Sequence, residues 1–191
     1  MATVKTFVLH GKPTRIVEGD LLVSRSTSVT SYLLAAVNWG ASHVTTAVNV
    51  GGELVAVGVL SHGWTDAAGV AHSPGITREP IELYNDPVYK NLWVVRPRAP
   101  RSAEAIARLR FAVAEQVRKD TGDGSIYDRS PSEFLHSACG MWPATTDHFH
   151  CAEWAAHLAK ACGERAWPSG QTTSVSIHKL VQTVGDPVSI F

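Results

Sequence analysis

SHVTTAVNVGGELVAVGVL, Ser42 to Leu60, decides how this chain is read. Two runs rich in β-branched residues flank Gly51-Gly52. That pattern predicts a β-hairpin, because paired glycines supply the positive φ that a tight hairpin turn needs. Upstream, EGDLLVSRS (Glu18 to Ser26) reads as a turn followed by a strand, and Thr3 to Leu9 as a short strand. Between them and the hairpin, Ser28 to Trp39 carries apolar residues at helical spacing, with Ser28 or Thr30 as N-cap and Gly40 as the stop.

Downstream, Ser61 to Pro80 is rich in Gly, Pro, Ser, Thr and His and reads as a long surface loop, a length often tied to function. NLWVVRP is a strand ended by Pro97. Ser102 opens a helix with Glu104 in its first turn and an apolar face of Ile106, Leu109, Phe111, Val113 and Val117, closed by TGDGSIYD. A short helix is expected over Glu133 to Ala138. CAEWAAHLAKACG is an alanine-rich helix stopped by Gly163, and the tail from Ser174 reads as a helical turn and a final extended segment. The sum is an α+β arrangement, an antiparallel sheet or small barrel with helices packed on it.

The chain has 191 residues, which suits one domain over 1–191. Its 17 basic and 17 acidic residues cancel. That removes the usual electrostatic reason to expect nucleic acid or an anionic membrane as partner. Apolar runs are too short to cross a bilayer, so no membrane insertion is expected. The N-terminus has no apolar core typical of a secretory signal, which predicts cytoplasmic synthesis.

Three cysteines, Cys139, Cys151 and Cys162, make a poor disulfide framework. On one helix, Cys151 and Cys162 stand about 16 Å apart, beyond bridging distance. Cys151 falls in the first turn, where unpaired N–H groups and the helix dipole favour a thiolate. A cysteine there can attack a carbonyl, given a histidine as base and first-turn amides for the oxyanion. By position alone, a free cysteine is more often an apolar filler. That description fits Cys162 and Cys139 better. His43, at the start of the hairpin, is placed to project from a rigid strand end.

Four blocks then agree in order with a known family. GDLLV (Gly19 to Val23), SHVTTAV (Ser42 to Val48), LWVVRP (Leu92 to Pro97) followed by a helix and GSIYD (Gly124 to Asp128), and FHCAEW (Phe149 to Trp154) resemble the motifs of the circularly permuted NlpC-type papain-like cysteine hydrolases. This is the YiiX-like amidase group, related to lecithin:retinol acyltransferase. The tail VSIHKLVQTVGDPVSIF is also similar to the family's closing segment. The resemblance implies Cys151 as nucleophile and His43 as base in a thioester mechanism. It implies peptidoglycan peptides, other amides or lipid esters as substrates, and no cofactor. Histidine before cysteine is the permuted order, and such sites are recognised by geometry rather than sequence order.

The chain departs from the family at the third polar residue that orients the histidine. Strand counting from His43 puts that place near Gly58, with Leu60 and His62 on the same face. His62 is the expected substitute, with Ser61, Glu53, a backbone carbonyl or a water behind it. Trp64, Glu153 and Tyr127 are the expected substrate-binding residues, although each has a structural reading: surface cover, first-turn charge and turn residue. The family's serine after the cysteine is Ala152 here.

A compact hydrolase without an export signal suggests an antibacterial effector carried to a rival's periplasm, with an immunity or delivery protein as partner. A cytoplasmic or phage-encoded hydrolase is the plainer expectation. Two other classes compete. Asp147, His148, His150, Cys151 and His157 offer metal-ligand types without HExxH or CxxC spacing, and no metal is expected. A non-catalytic binding module on a decayed papain-like fold would account for Gly58.

Overall fold

The computed structural model describes residues 1–27, 35–36, 40–60, 63–120, 151–163 and 177–190. The expected α+β class holds. Six strands form one antiparallel sheet in the order β10-β9-β3-β4-β5-β8. They are β3 (Leu21–Ser26), β4 (His43–Val50), β5 (Glu53–Leu60), β8 (Gly75–Pro80), β9 (Tyr89–Pro97) and β10 (Gly185–Ser189). Two small ribbons accompany it, β1 (Val4–Leu9) with β2 (Lys12–Val17), and β6 (Trp64–Thr65) with β7 (Ala71–His72). A 3₁₀ turn spans Ile81–Asn85.

The hairpin forms as the glycines require: Gly51 and Gly52 have φ of 64° and 96°, and Val50 pairs with Glu53 across them. Alternation then sorts its residues. Val44, Val48, Val57 and Val59 face the helices, while Ala47, Leu54 and Ala56 face a second core with Tyr84, Phe7, Leu9 and Ile16.

Helix α1 (Ala103–Lys119) begins at Ser102, whose hydroxyl accepts from the Ala105 N–H at 3.1 Å. It buries Ala105, Ile106, Leu109, Ala112 and Val113. Phe111 was expected on that face and is instead 70% exposed. Five residues beyond Ile106 at 3.6 per turn is nearly the opposite side of the helix, so this was a misread period. Helix α2 (Cys151–Ala161) packs across β4 and β5 with Trp154 and Leu158 fully buried. Replacing such a tryptophan with alanine costs about 3–5 kcal/mol. Helix α3 (Ile177–Val184) and β10 are the expected tail.

Ser61 to Pro80 was read as one loop, but β6, β7 and β8 occupy half of it. Strand β8 is an edge strand carrying Arg78 and Pro80, a composition that hides strand character and blunts an exposed edge. The expected helices over Ser28 to Trp39 and Glu133 to Ala138 fall largely or wholly outside the described residues.

The turn Glu18-Gly19-Asp20 anchors the frame. The Glu18 carboxylate accepts from Arg110 (2.8 and 2.7 Å), the Thr3 N–H and the Asn49 N–H, tying α1, the N-terminus and β4 together. Asp20 accepts from Arg96 (3.2 and 2.9 Å) and the Val17 N–H, fixing β9 to the start of β3.

Candidate functional site

Helix α2 starts at the end of the sheet where β4 and β5 part. Their ladder runs from Val50↔Glu53 to Thr46↔Val57 and stops. Yet β4 goes on pairing β3 to Ser24↔His43, and β5 goes on pairing β8 to Leu60↔Gly75. In the alternation of β4, the Val44 N–H points toward β5, where Val59 would be its partner. The Cys151 side chain packs against Val44 there, and the Val44 N–H favours its thiolate. The ladder thus opens beside Val44, and the first turn of α2 brings a thiol to the opening.

Cys151 is 8% exposed and packs with Val44, Ala41 and Ala155. Burial pushes its thiol up to about 11. The N–H groups of Val44, Ala152 and Cys151 oppose that rise by favouring the thiolate, while the Glu153 carboxylate adds to it. Glu153 is itself buried in the first turn of α2.

His43 opens β4 on the other face of the strand, in line with Thr45 and Ala47. Its Nε2 lies 3.4 Å from the point where a Cβ on Gly58 would sit. Burial lowers the imidazole to about 4, so it is neutral at physiological pH. Thr45 Oγ1 and the Tyr84 hydroxyl share a 2.7 Å hydrogen bond beside it. The structure therefore brings Cys151 to the peptide that joins His43 to Val44. Among the described residues, no hydrogen bond joins the sulfur to the imidazole, so the expected direct contact is not made at rest.

The place expected for a third polar residue is Gly58 by geometry as well as by counting. The substitute, His62, and Tyr127 lie outside the described residues. Glu53 is exposed at the far end of the hairpin, in the turn pair with Val50. Of the metal-ligand types, Asp147, His148 and His150 lie outside the described residues, and His157 sits on α2 against the Trp154 ring.

Trp64 belongs to the β6–β7 ribbon. It stacks on His72 (centroids 4.5 Å apart, planes at 15°) and meets Tyr89 edge-on at 6.1 Å. Tyr89 in turn packs on Tyr84 at 4.8 Å, so Trp64 reaches the Thr45–His43 corner only through two tyrosines. His72 Nε2 bonds Asp66 Oδ2 at 3.1 Å, and Nδ1 stands 3.2 Å from Glu79 Oε1. Burial raises the Glu79 carboxyl, against the pull of His72 and of a hydrogen bond from the Trp64 side chain. Sequence reading missed this cluster, because Asp66, His72 and Glu79 become neighbours only once the supposed loop folds into strands.

No family model matches the chain, and no curated protein matches it.

Proposed function

We propose that this protein is a cysteine hydrolase of circularly permuted papain-like type, cleaving amide bonds through a thioester on Cys151. The observation that carries the reading is the sulfur at the head of α2, packed against Val44, the residue that follows His43. More than a hundred positions along the chain, the sulfur comes close to the backbone beside His43, while the imidazole lies on the other face of β4 by Gly58.

The resting state is a neutral thiol and a neutral imidazole. His43 takes the thiol proton as the sulfur attacks the substrate carbonyl. Nε2 lies over Gly58, which leaves Nδ1 to receive that proton. Catalytic hydrogen bonds are often loose before substrate binds and close in the complex. The N–H groups of Cys151 and Ala152, which favour the thiolate, would take up the oxyanion. His43 then protonates the leaving amine, and a water activated by the same imidazole releases the acid. Peptidoglycan peptides are the substrate class we favour, with lipid esters the other class that the motif resemblance implies.

The test is incubation of the native protein and Cys151→Ala with purified peptidoglycan, small amides and phospholipid vesicles. Product from the native protein alone supports the reading and names the substrate class. Equal, background-level turnover by both proteins on all three refutes it.

A second reading is favoured by two specific observations, the high thiol pKa and the missing side chain at Gly58. It is a binding module on a papain-like frame that has lost its chemistry. Under it, His43→Ala leaves the alkylation rate of Cys151 unchanged.

A further inference from the structure

The imidazole of His43 has no hydrogen-bond partner among the described residues, and its Nε2 is directed over a residue without a side chain. The strand beyond supplies a polar group. Gly58 pairs with Thr77 on β8, and antiparallel partners project to the same face. Thr77 therefore stands on the His43 face, across Gly58 from Thr45 and His43.

Thr77 is 9% exposed, and among the described residues its buried Oγ1 has no hydrogen-bond partner. A buried hydroxyl left unpaired is costly, so it marks a place where a donor or acceptor belongs. The Ser24 hydroxyl, also buried and without a partner among the described residues, flanks His43 on the opposite side through the Ser24↔His43 pair. Nε2 turns toward Gly58 on β5, the side from which Thr77 approaches.

We propose that Thr77 is the positioning residue for His43. Its hydroxyl accepts from Nε2–H across the gap at Gly58, directly or through one water, and this fixes the tautomer that leaves Nδ1 unprotonated. A side chain two strands from the histidine does the orienting because the intervening strand carries glycine. The inference rests on the proposed Cys151–His43 pair.

The test is the pH profile of iodoacetamide labelling at Cys151, followed peptide by peptide by mass spectrometry. It compares the native protein with Thr77→Val, Thr77→Ser, Ser24→Ala, His62→Ala and His43→Ala. Thr77→Val is expected to slow Cys151 labelling at neutral pH about five- to tenfold, the worth of one neutral hydrogen bond. Thr77→Ser is expected to restore the native profile. A Thr77→Val profile that superimposes on the native one overturns the proposal, as does a shift produced by Ser24→Ala or His62→Ala alone.

His43→Ala separates the two levels. If it leaves labelling unchanged, the Cys151–His43 pairing fails; if it slows labelling while Thr77→Val does not, only the role of Thr77 fails. Should Thr77→Val not fold, ¹⁵N spectra of the imidazole in the native protein decide. A proton on Nε2 supports the proposal, and one on Nδ1 alone overturns it.

Discussion

Val44, whose N–H the alternation of β4 points at β5, packs against Cys151, and that N–H favours the thiolate. A sheet donor thus serves a helix-borne thiol, and the seam between β4 and β5 stays open there. The same burial that makes the contact intimate also keeps both partners uncharged. The thiol is held near 11 and the imidazole near 4.

The first prediction concerns reactivity against pH. With the thiol near 11, about one molecule in ten thousand is a thiolate at pH 7. Cys151 labelling should therefore climb steeply through alkaline pH and show no plateau between pH 4 and 7. Site-resolved alkylation rates check this. A flat, fast rate across the acidic range would mean a preformed thiolate–imidazolium pair and would contradict the neutral resting state.

The second prediction concerns Gly58. A Cβ there would stand 2.7 Å from Thr45 Cγ2 as well as 3.4 Å from His43 Nε2. Gly58→Ala should cost about 1–3 kcal/mol as overpacking. Thr45→Ser removes the clashing methyl and keeps the oxygen bonded to Tyr84. The double variant should recover most of the loss, a coupling expected between residues in contact. Denaturant midpoints of the four proteins measure it, and additive losses would refute the clash.

Legibility followed the strength of local patterns. The Ser42 to Leu60 hairpin was plain because both its turn and its alternation are written in neighbouring residues. The head of α2 was plain for the same reason. The β1–β2 hairpin was only half visible. Its turn uses His10 and Gly11, both at positive φ, but β2 begins Lys12-Pro13 and carries Arg15, so no apolar run announces it. At the site, counting along β4 and β5 put Gly58 beside His43, where the structure has it, since strand parity is local. It could not find Thr77, because the Gly58–Thr77 pairing depends on β8 folding back after a separate ribbon. The open seam beside Val44 was equally invisible, being a property of where two ladders end.

The third prediction concerns the β6–β7 ribbon. His72 holds it together by stacking under Trp64 and by meeting acids on two elements, Asp66 beside the ribbon's turn and Glu79 on β8. The Asp66 carboxyl is held below its usual range by the Val70 N–H and then by His72. Removing the ring leaves Glu79 buried with fewer partners. His72→Ala should raise amide exchange across residues 64–72 about tenfold while leaving β4 and β5 protected, as expected for a locally opening unit. Hydrogen exchange read by mass spectrometry is the measurement. Unchanged exchange in the ribbon would show that the aromatic contacts alone hold it.

The fourth prediction follows from Glu18 and Arg110. Burial by itself would raise the Glu18 carboxyl. The bond from Arg110 and the N–H groups of Thr3 and Asn49 outweigh it and leave the carboxyl below its ordinary value. A folded-state pKa below the unfolded one adds stability that is fully present above the unfolded value near 4.5 and is lost as pH falls through the folded one. Arg110→Ala leaves a buried carboxylate without its cation and should cost about 3 kcal/mol at pH 7. Below the folded pKa both proteins carry a neutral Glu18, so the difference between them should shrink toward the small packing loss of the arginine stem. Urea midpoints of the two proteins from pH 7 down to pH 3 test the sign as well as the size. A gap that stays constant as pH falls would show that the guanidinium acts through packing, and that the carboxylate is held by its two backbone donors alone.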